Sequence, residues 1–219
     1  MSEKNTQNPY KILVVGGTGR VGQEIIRSAL KKGYHVRAIT RNLQKAIKFE
    51  EGEVEWQQCN ATEKECMTKA TEGRDAVLSA IGSDKPREPT TVFSDSLKVM
   101  LEVMKENNVN RLLTVSCDWE NPSNGWVFRN IVKKMLKHVQ ADMTRMEEIL
   151  SNRPKDQLQW TVVRAFHLIK KPYTGQYRVG PSNLQPPFKA NTNTGDLGDF
   201  MVNEARDKNW VNTFVTIGL

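Results

Sequence analysis

The chain has 219 residues, of which 38% are hydrophobic and 26% charged, and its net charge is +7. This composition is typical of a globular domain with a core, and no apolar run approaches the ~20 residues of a membrane span. The polar start from Met1 to Tyr10 lacks the apolar stretch of a signal peptide, so we expect a cytoplasmic protein with no membrane partner.

Short apolar runs alternate with helical patterns along the first half of the chain. The predicted strands are Lys11–Val15, His35–Thr40, Val54–Gln57, Asp75–Ile81 and Arg111–Ser116. The predicted helices are Arg20–Lys32, a weak one at Leu43–Phe49, one from Thr62 to Ala70 with Glu65 in a capping box, and Pro89–Asn107. Such alternation predicts an α/β fold, a doubly wound parallel sheet with helices on both faces.

The second half is less regular. A loop at Cys117–Gly125 precedes a helical pattern over Trp126–Leu150 with a bend near His138–Ala141. The later elements are a strand at Gln159–Arg164, a short hairpin around Tyr173–Val179, a helix at Gly195–Arg206 and a strand at Phe214–Ile217. No linker separates these elements, so we expect one domain over residues 1–219. Residues 1–9 would be a flexible N-terminus, and residues 166–219 would contribute a small C-terminal cap on the substrate side.

The positive charge is concentrated in this second half. Residues 121–195 hold twelve Lys or Arg against four Asp or Glu, which indicates either a solvated basic face or a site for nucleic acid, anionic lipid or an anionic small molecule. No helix-turn-helix or zinc-finger spacing supports a nucleic-acid partner. The three histidines and three cysteines show no metal-binding spacing and no C-x-x-C pair, which indicates no metal site and a reducing compartment.

A glycine-rich loop follows the first predicted strand and opens the first helix. It reads Gly16-Gly17-Thr18-Gly19-Arg20-Val21-Gly22 and satisfies G-x-G-x-x-G. Glycines permit the tight turn, let the backbone approach a pyrophosphate and allow the helix to pack closely on the strand, while the helix N-terminus faces the phosphates. The strand–turn–helix context predicts a dinucleotide site, and a turn without a ligand is the alternative.

The end of the second strand indicates which dinucleotide is bound. An acidic residue there would bind the ribose hydroxyls of NAD, but this chain has Arg41 and no acid between Gly33 and Phe49. A guanidinium matches a 2′-phosphate, so NADP(H) is favoured, with a plain surface arginine as the alternative.

Residues after the later strands complete the predicted site. Asn60 and Ala61 follow the third strand and are expected to contact adenine. The small residues Ala80, Ile81 and Gly82 follow the fourth strand, where they would let the ribose lie against the backbone. Ser116 ends the fifth strand, where the nicotinamide would rest, and it is expected either to bind substrate or carboxamide or merely to cap the strand.

Several runs along the chain resemble the atypical short-chain dehydrogenase/reductase family. They are the TGRVG loop, the AITRN strand end, GRDAVLSAIG, DMTRMEEIL and LQWTVVRA. The branch that they resemble most is that of the NmrA-like proteins and the biliverdin IXβ and flavin reductases, which Glu88–Val92 and the region from Leu168 to Tyr177 also resemble. The resemblance covers roughly residues 11–206.

This resemblance implies a Rossmann domain that binds NADPH through Gly17 to Val21 and Arg41. It also implies a catalytic position for Ser116 beside the substrate, and it places His167 near the mouth of the active site, with a structural loop histidine as the alternative. By analogy, the protein would be a monomer or a weak dimer.

One departure from the family limits the chemistry. The Tyr-x-x-x-Lys pair of most short-chain dehydrogenases is replaced by Gln140 and Thr144, and no tyrosine occurs between Tyr34 and Tyr173. A flavin or linear tetrapyrrole accepts hydride with a proton from solvent, so we expect an NADPH-dependent reductase of such an anionic acceptor. The alternative is a non-catalytic NADP(H)-binding redox sensor or regulatory protein. The basic segment Arg129–His138 would offer such a sensor a partner surface, although its apolar members Ile131, Val132, Met135, Leu136 and Val139 are expected to face the core.

Overall fold

The structure, a computed structural model, describes residues 9–119, 125–165, 167–181 and 191–219; of Phe128 and Arg129 only the backbone is described. The N-terminal prediction for residues 1–8 lies outside this range. An eight-stranded sheet has the order β3-β2-β1-β4-β5-β6-β10-β8. Its strands are β1 Lys11–Val15, β2 His35–Thr40, β3 Val54–Gln58, β4 Ala76–Ser79, β5 Arg111–Cys117, β6 Gln159–Ala165, β8 Arg178–Pro181 and β10 Thr213–Gly218. Two short strands, β7 His167–Ile169 and β9 Asn191–Asn193, pair in parallel beside it.

The main sheet is parallel except at its last strand, β8, which runs antiparallel to β10. Side chains of β1 from Ile12 to Val15 are at most 1% exposed, as expected for a central strand covered on both faces. The order of the first six strands reverses between β1 and β4, and ligands in such sheets bind beyond the carboxyl ends at this crevice. The predicted Rossmann-type doubly wound α/β fold is confirmed.

Helices cover both faces of the sheet. Their bounds are α1 Arg20–Lys31, α2 Lys64–Thr71, α3 Val92–Glu106, α4 Lys133–Met135, α5 Lys137–Ser151 and α6 Thr194–Asp207. One face packs against α1 and α6, and the other against α2, α3 and α5. Helices α1 and α6 pack closely at Gly198. A Cβ added to this glycine would lie 2.7 Å from the backbone carbonyl carbon of Glu24.

A buried ion pair fixes the position of α6. The guanidinium of Arg111 on β5 lies 2.9 Å from a carboxylate oxygen of Glu204, and both side chains are at most 2% exposed. The same guanidinium donates to the carbonyl of Glu204, while the carboxylate accepts from the backbone N–H groups of Asn209 and Trp210. Burial lowers the pKa of Arg111, and Glu204 opposes that shift.

Several predicted element details are wrong. The helix expected at Leu43–Phe49 is a single 3₁₀ turn, Leu43–Lys45. Helix α2 begins at Lys64 with Glu63 as its N-cap and no side-chain cap, so the capping box from Thr62 to Glu65 does not form.

Two further expectations about the second half also fail. The stretch expected as a hairpin instead reaches the main sheet, where β8 pairs with β10. The helical pattern over residues 126–150 is interrupted before the expected bend, because a π-helical turn at Phe128–Val132 leads into α4 and Leu136 leaves helical geometry. The last helix, α6, covers one face of the main sheet beside α1, and the last strand, β10, lies within that sheet.

Two cysteines depart from the expectation of unpaired thiols. Cys59 at the end of β3 and Cys66 in α2 form a disulfide with their Cα atoms 5.5 Å apart. The spacing of seven residues is not a C-x-x-C pattern, so the pairing becomes evident only once α2 folds back over the strand end.

Within the described residues, no helix is both long and apolar enough to cross a membrane.

Candidate functional site

The glycine loop forms a cradle that side chains would fill. Gly16 has a φ of +85°, and a Cβ there would lie 2.6 Å from the carbonyl oxygen of Ala80. A Cβ on Gly22 would lie 2.2 Å from the carbonyl oxygen of Gly16, and one on Gly17 would lie 2.9 Å from the Cβ of Ala38. The loop thus requires glycine for its own geometry, as the sequence pattern predicts.

The loop delivers the N-terminus of α1 to the ends of β1 and β4. Gly19 is the N-cap, no side chain caps the helix, and its first turn holds no acidic residue. The N–H of Gly19 donates to Gly16 over 3.0 Å, and the carbonyl of Thr18 accepts from the Gln23 amide. Uncapped N–H groups and the helix dipole favour an anion such as pyrophosphate here.

Arg41 lies at the end of β2, as predicted, but it has a partner that the sequence analysis missed. Its guanidinium is 2.7 Å from a carboxylate oxygen of Asp84, and both side chains are about two-thirds exposed. Asp84 follows β4 and is distant in sequence, so a search of the residues around Arg41 does not find it. Any 2′-phosphate must compete with this carboxylate for the guanidinium.

Asn60 and Ala61 lie beyond β3, on the same side as Arg41. The Asn60 side chain makes weak local contacts of 3.4 Å with Thr62 and Glu63. Asn60, Ala61 and Arg41 do not line the large cavity described next, so their contact with the adenosine half of a dinucleotide stays a prediction.

A cavity of about 750 Å³ continues from the glycine loop toward α3 and α5. Eight predicted site residues line it, namely Gly19, Arg20, Val21, Ala80, Ile81, Gly82, Ser116 and His167. Its far walls are apolar and include Phe93, Trp119, Val132, Leu136, Val139 and Met143. This volume lies within the range of small-molecule sites.

Ser116 presents an unsatisfied hydroxyl at this cavity. The residue is 2% exposed, and its Oγ atom is buried with no hydrogen-bond partner among the described atoms. An unpaired buried hydroxyl is unfavourable unless a ligand pairs with it. The hydroxyl therefore does not cap the strand end, and contact of Ser116 with a ligand stays a prediction.

His167 and Cys117 are the other reactive side chains at the cavity. His167 is exposed, and its Nδ1 atom lies 3.3 Å from the side-chain oxygen of Asn191. Burial, with the nearby carboxylate of Asp118, raises the pKa of Cys117 to about 12. The Cys117 side chain is therefore a neutral thiol and not a nucleophile at neutral pH.

The described lining holds neither tyrosine nor lysine. Its titratable side chains are Arg20, Cys117 and His167. The aligned pair positions, Gln140 and Thr144, supply no acid or base. The described lining of the cavity therefore holds no side chains that could replace the Tyr-x-x-x-Lys pair.

A buried carboxylate that the sequence analysis did not single out holds the cavity walls together. Asp142 on α5 is fully buried and accepts hydrogen bonds from the N–H of Phe93 (2.9 Å) and the hydroxyl of Ser94. It therefore caps α3 from another helix and fixes two walls of the cavity. Its sequence signal is weak, since a single Asp within an amphipathic helix is usually solvated.

The basic second half does not converge on the cavity within the described residues. Arg145 pairs with Asp142, and Arg164 forms two hydrogen bonds with Glu147. Lys170 and Lys171 line a separate groove beside α1. The basic excess therefore gives little direct support to an anionic acceptor.

The expectation that the apolar members of the segment 129–138 face the core is partly wrong. Val139 is buried, and Val132 and Leu136 line the cavity, but Ile131 and Met135 are 46% and 41% exposed. The π-helical turn shifts the helical register, which a regular period of 3.6 does not anticipate.

The sequence profile of the NAD(P)H-binding family matches residues 16–208. The photosystem II assembly factor Ycf39 of Cyanophora paradoxa is 30% identical over 108 residues, which are 48% of this chain and 33% of that protein. The matched part thus spans about a third of the length of this curated relative.

Two solved structures share the fold. A candidate NADH-flavin reductase from Streptococcus pneumoniae has a TM-score of 0.74 at 20% identity, over 95% of this chain and 99% of that chain. A short-chain dehydrogenase/reductase from Veillonella parvula in complex with NADP has a TM-score of 0.72 at 16% identity, over 96% of this chain and 94% of that chain.

The site residues fit the dinucleotide that this family binds. The glycine cradle of Gly16, Gly17 and Gly22 lies within the matched range and opens on the bare N-terminus of α1. Arg41 follows β2, and its contact with a 2′-phosphate stays a prediction. The chain therefore belongs to the NAD(P)H-binding family, and its cofactor is a nicotinamide dinucleotide, NAD(P)(H).

Proposed function

We propose that the protein is an NADPH-dependent reductase that passes a hydride to a conjugated acceptor such as a flavin or a linear tetrapyrrole. The observation that carries this proposal is the apolar cavity that opens directly from the glycine loop and presents the unpaired hydroxyl of Ser116. NADPH supplies the hydride from C4 of its nicotinamide, and the acceptor takes up the hydride and one proton.

The side chains around the cavity support a conjugated acceptor over a simple ketone. Reduction of a ketone needs a positioned proton donor, and the described lining holds no tyrosine–lysine pair for that step. A flavin or tetrapyrrole stabilises the added electron pair within its own π system and accepts its proton from water. The rings of Phe93 and Trp119 offer apolar faces on which a flat acceptor can pack.

Three polar residues have proposed roles around the acceptor. Ser116 hydrogen-bonds the acceptor or the carboxamide of the nicotinamide through its buried hydroxyl. His167, held by Asn191, lies at the exposed side, where it can deliver a proton or pair with an anionic substituent. Arg20 is the permanent cation of the described lining and would bind an acceptor carboxylate or phosphate.

Anaerobic oxidation of NADPH tests the proposal with FMN, biliverdin and a dye as acceptors. We expect turnover by the wild-type protein and none by Gly19→Glu, which blocks the cradle. Ser116→Ala should lower kcat about tenfold while leaving the Kd for NADPH within about twofold, since one hydrogen bond to a reacting group contributes roughly 1–2 kcal/mol. Ser151→Ala, an exposed serine on α5, is the matched control. Tight NADPH binding without turnover of any acceptor would contradict the proposal.

A second candidate is a non-catalytic NADP(H)-binding protein that acts through partners. It is favoured by the likeness to Ycf39, which is a photosystem II assembly factor, and by the lack of a tyrosine–lysine pair in the described lining. The same assay separates the two candidates, because a sensor binds NADPH with its full affinity and oxidises none of it.

A further inference from the structure

A strip of large apolar side chains is exposed beside the mouth of the cavity. Of the six large apolar side chains exposed in the described residues, four lie here: Trp126 (68%), Val127 (57%), Ile131 (46%) and Met135 (41%). We call these four residues the apolar strip. Contiguous exposed apolar side chains of this size mark a surface that another molecule covers.

The strip is exposed because its helical segment carries apolar residues on two sides. Val127, Ile131 and Met135 recur at every fourth position and are exposed, whereas Val132 and Leu136 line the cavity, which Val127 also borders. A helix that is apolar on opposite sides is normally buried on both. Here the chain covers the inner side, and no described residue covers the outer side.

The charged side chains within the segment of the strip, residues 125–141, are all positive. Lys134 and Lys137 are exposed beside it and Lys133 is half-buried, while no Asp or Glu occurs between residues 125 and 141. Apolar side chains that include a tryptophan, flanked by lysines, are the composition of segments that lie in the interface of anionic membranes. The surface is complementary to negatively charged headgroups over an apolar layer.

We propose that the apolar strip and its flanking lysines dock this protein on an anionic lipid surface. A second copy of the chain fits less well, because a twofold interface would bring the same lysines of both copies together, and residues 125–141 hold no Asp or Glu to neutralise them. Anionic headgroups neutralise the lysines, and Trp126 and Ile131 enter the boundary between headgroups and acyl chains. The expectation of no membrane partner rested on the absence of a long apolar run and of a signal peptide, and neither of these excludes docking through exposed side chains such as Ile131 and Met135.

Docking in this orientation turns the cavity toward the lipid. Val127 belongs to both the strip and the cavity lining, and Gly125 lies beside it in that lining. An acceptor dissolved in the lipid would then enter the cavity without crossing bulk water. This consequence rests on the proposed reductase function, whereas docking itself does not.

Flotation of the full chain with lipid vesicles tests the inference in the absence of NADPH. The probes are vesicles of phosphatidylcholine alone and of phosphatidylcholine mixed with phosphatidylglycerol. We expect binding to the mixed vesicles only, weakened by salt. The variant Trp126→Ser/Ile131→Ser should lose binding, and Lys134→Gln/Lys137→Gln should weaken it at least about tenfold.

Matched controls separate the strip from general charge and hydrophobicity. Lys170→Gln/Lys171→Gln removes the same charge from another exposed site, and Tyr173→Ser removes an exposed aromatic residue outside the strip. Both should bind vesicles like the wild type. Because the altered residues of the strip are exposed, circular dichroism should show unchanged folding in every variant.

Three results would overturn the inference. The first is no binding to the mixed vesicles. The second is an equal loss of vesicle binding in the charge-matched control, and the third is a concentration-dependent dimer that Ile131→Ser abolishes. The last result would assign the strip to a second copy. Vesicle binding without hydride transfer would contradict only the proposed function, and hydride transfer without vesicle binding would contradict only the docking.

Discussion

At the scale of single residues, two neighbouring side chains on β5 differ in what they can offer a ligand in the cavity. Ser116 presents an unpaired hydroxyl that a ligand can satisfy, whereas Cys117 presents a thiol that burial keeps neutral. The sequence predicted a role for Ser116 from its place at a strand end. The raised pKa of Cys117 could not be predicted from the sequence, because the burial of this side chain depends on α5 and β6, which are distant in sequence.

The raised pKa of Cys117 makes stability depend on alkaline pH. The folded pKa of about 12 exceeds the ordinary thiol value, so the unfolded chain loses this proton first as the pH rises. The stabilising contribution is complete below about pH 8.5 and is lost progressively toward pH 12. Between pH 8 and pH 10.5, the free energy of unfolding in urea should fall by about 2–3 kcal/mol more for the wild type than for Cys117→Ala. Parallel losses in the two proteins would contradict this assignment.

At the scale of elements, the reliable sequence signals were those of local origin. Buried strands with continuous apolar runs, such as β1, and the glycine loop before α1 were predicted with nearly correct bounds. Several failures involve long-range contacts: β8 pairs with β10, Asp142 caps α3 from α5, and Asp84 pairs with Arg41. Each joins residues that only the finished fold brings together.

The pair between β5 and α6 is a long-range contact with a measurable contribution. Glu204→Ala leaves the buried Arg111 guanidinium without its carboxylate, and it should lower the free energy of unfolding by about 3–5 kcal/mol. Glu102→Ala removes an exposed partner of Lys64, and it should change that free energy by less than about 1 kcal/mol. Urea denaturation of both variants measures the difference. Equal effects would show that α6 does not depend on the pair.

At the scale of the whole molecule, three features meet at one edge of the sheet. The glycine cradle, the apolar cavity and the exposed apolar strip follow one another from the switch between β1 and β4 to the segment before α5. The net positive charge suggested an anionic acceptor, but its described members are spread over several ion pairs and grooves. The distribution of charge, unlike its sum, could not be predicted without the fold.

We expect this edge of the sheet to bind NADP(H) through the glycine loop and Arg41, and calorimetric titration of NADPH and NADH measures that binding. We expect the wild type to prefer NADPH at least about tenfold, which is about 1.4 kcal/mol, and Arg41→Ala to lose that preference. Asp84→Asn removes the competing carboxylate and should raise NADPH affinity up to about fivefold, the scale of an exposed ion pair. Equal binding of both dinucleotides by the wild type would contradict the role of Arg41, and binding of neither would contradict the cofactor site itself.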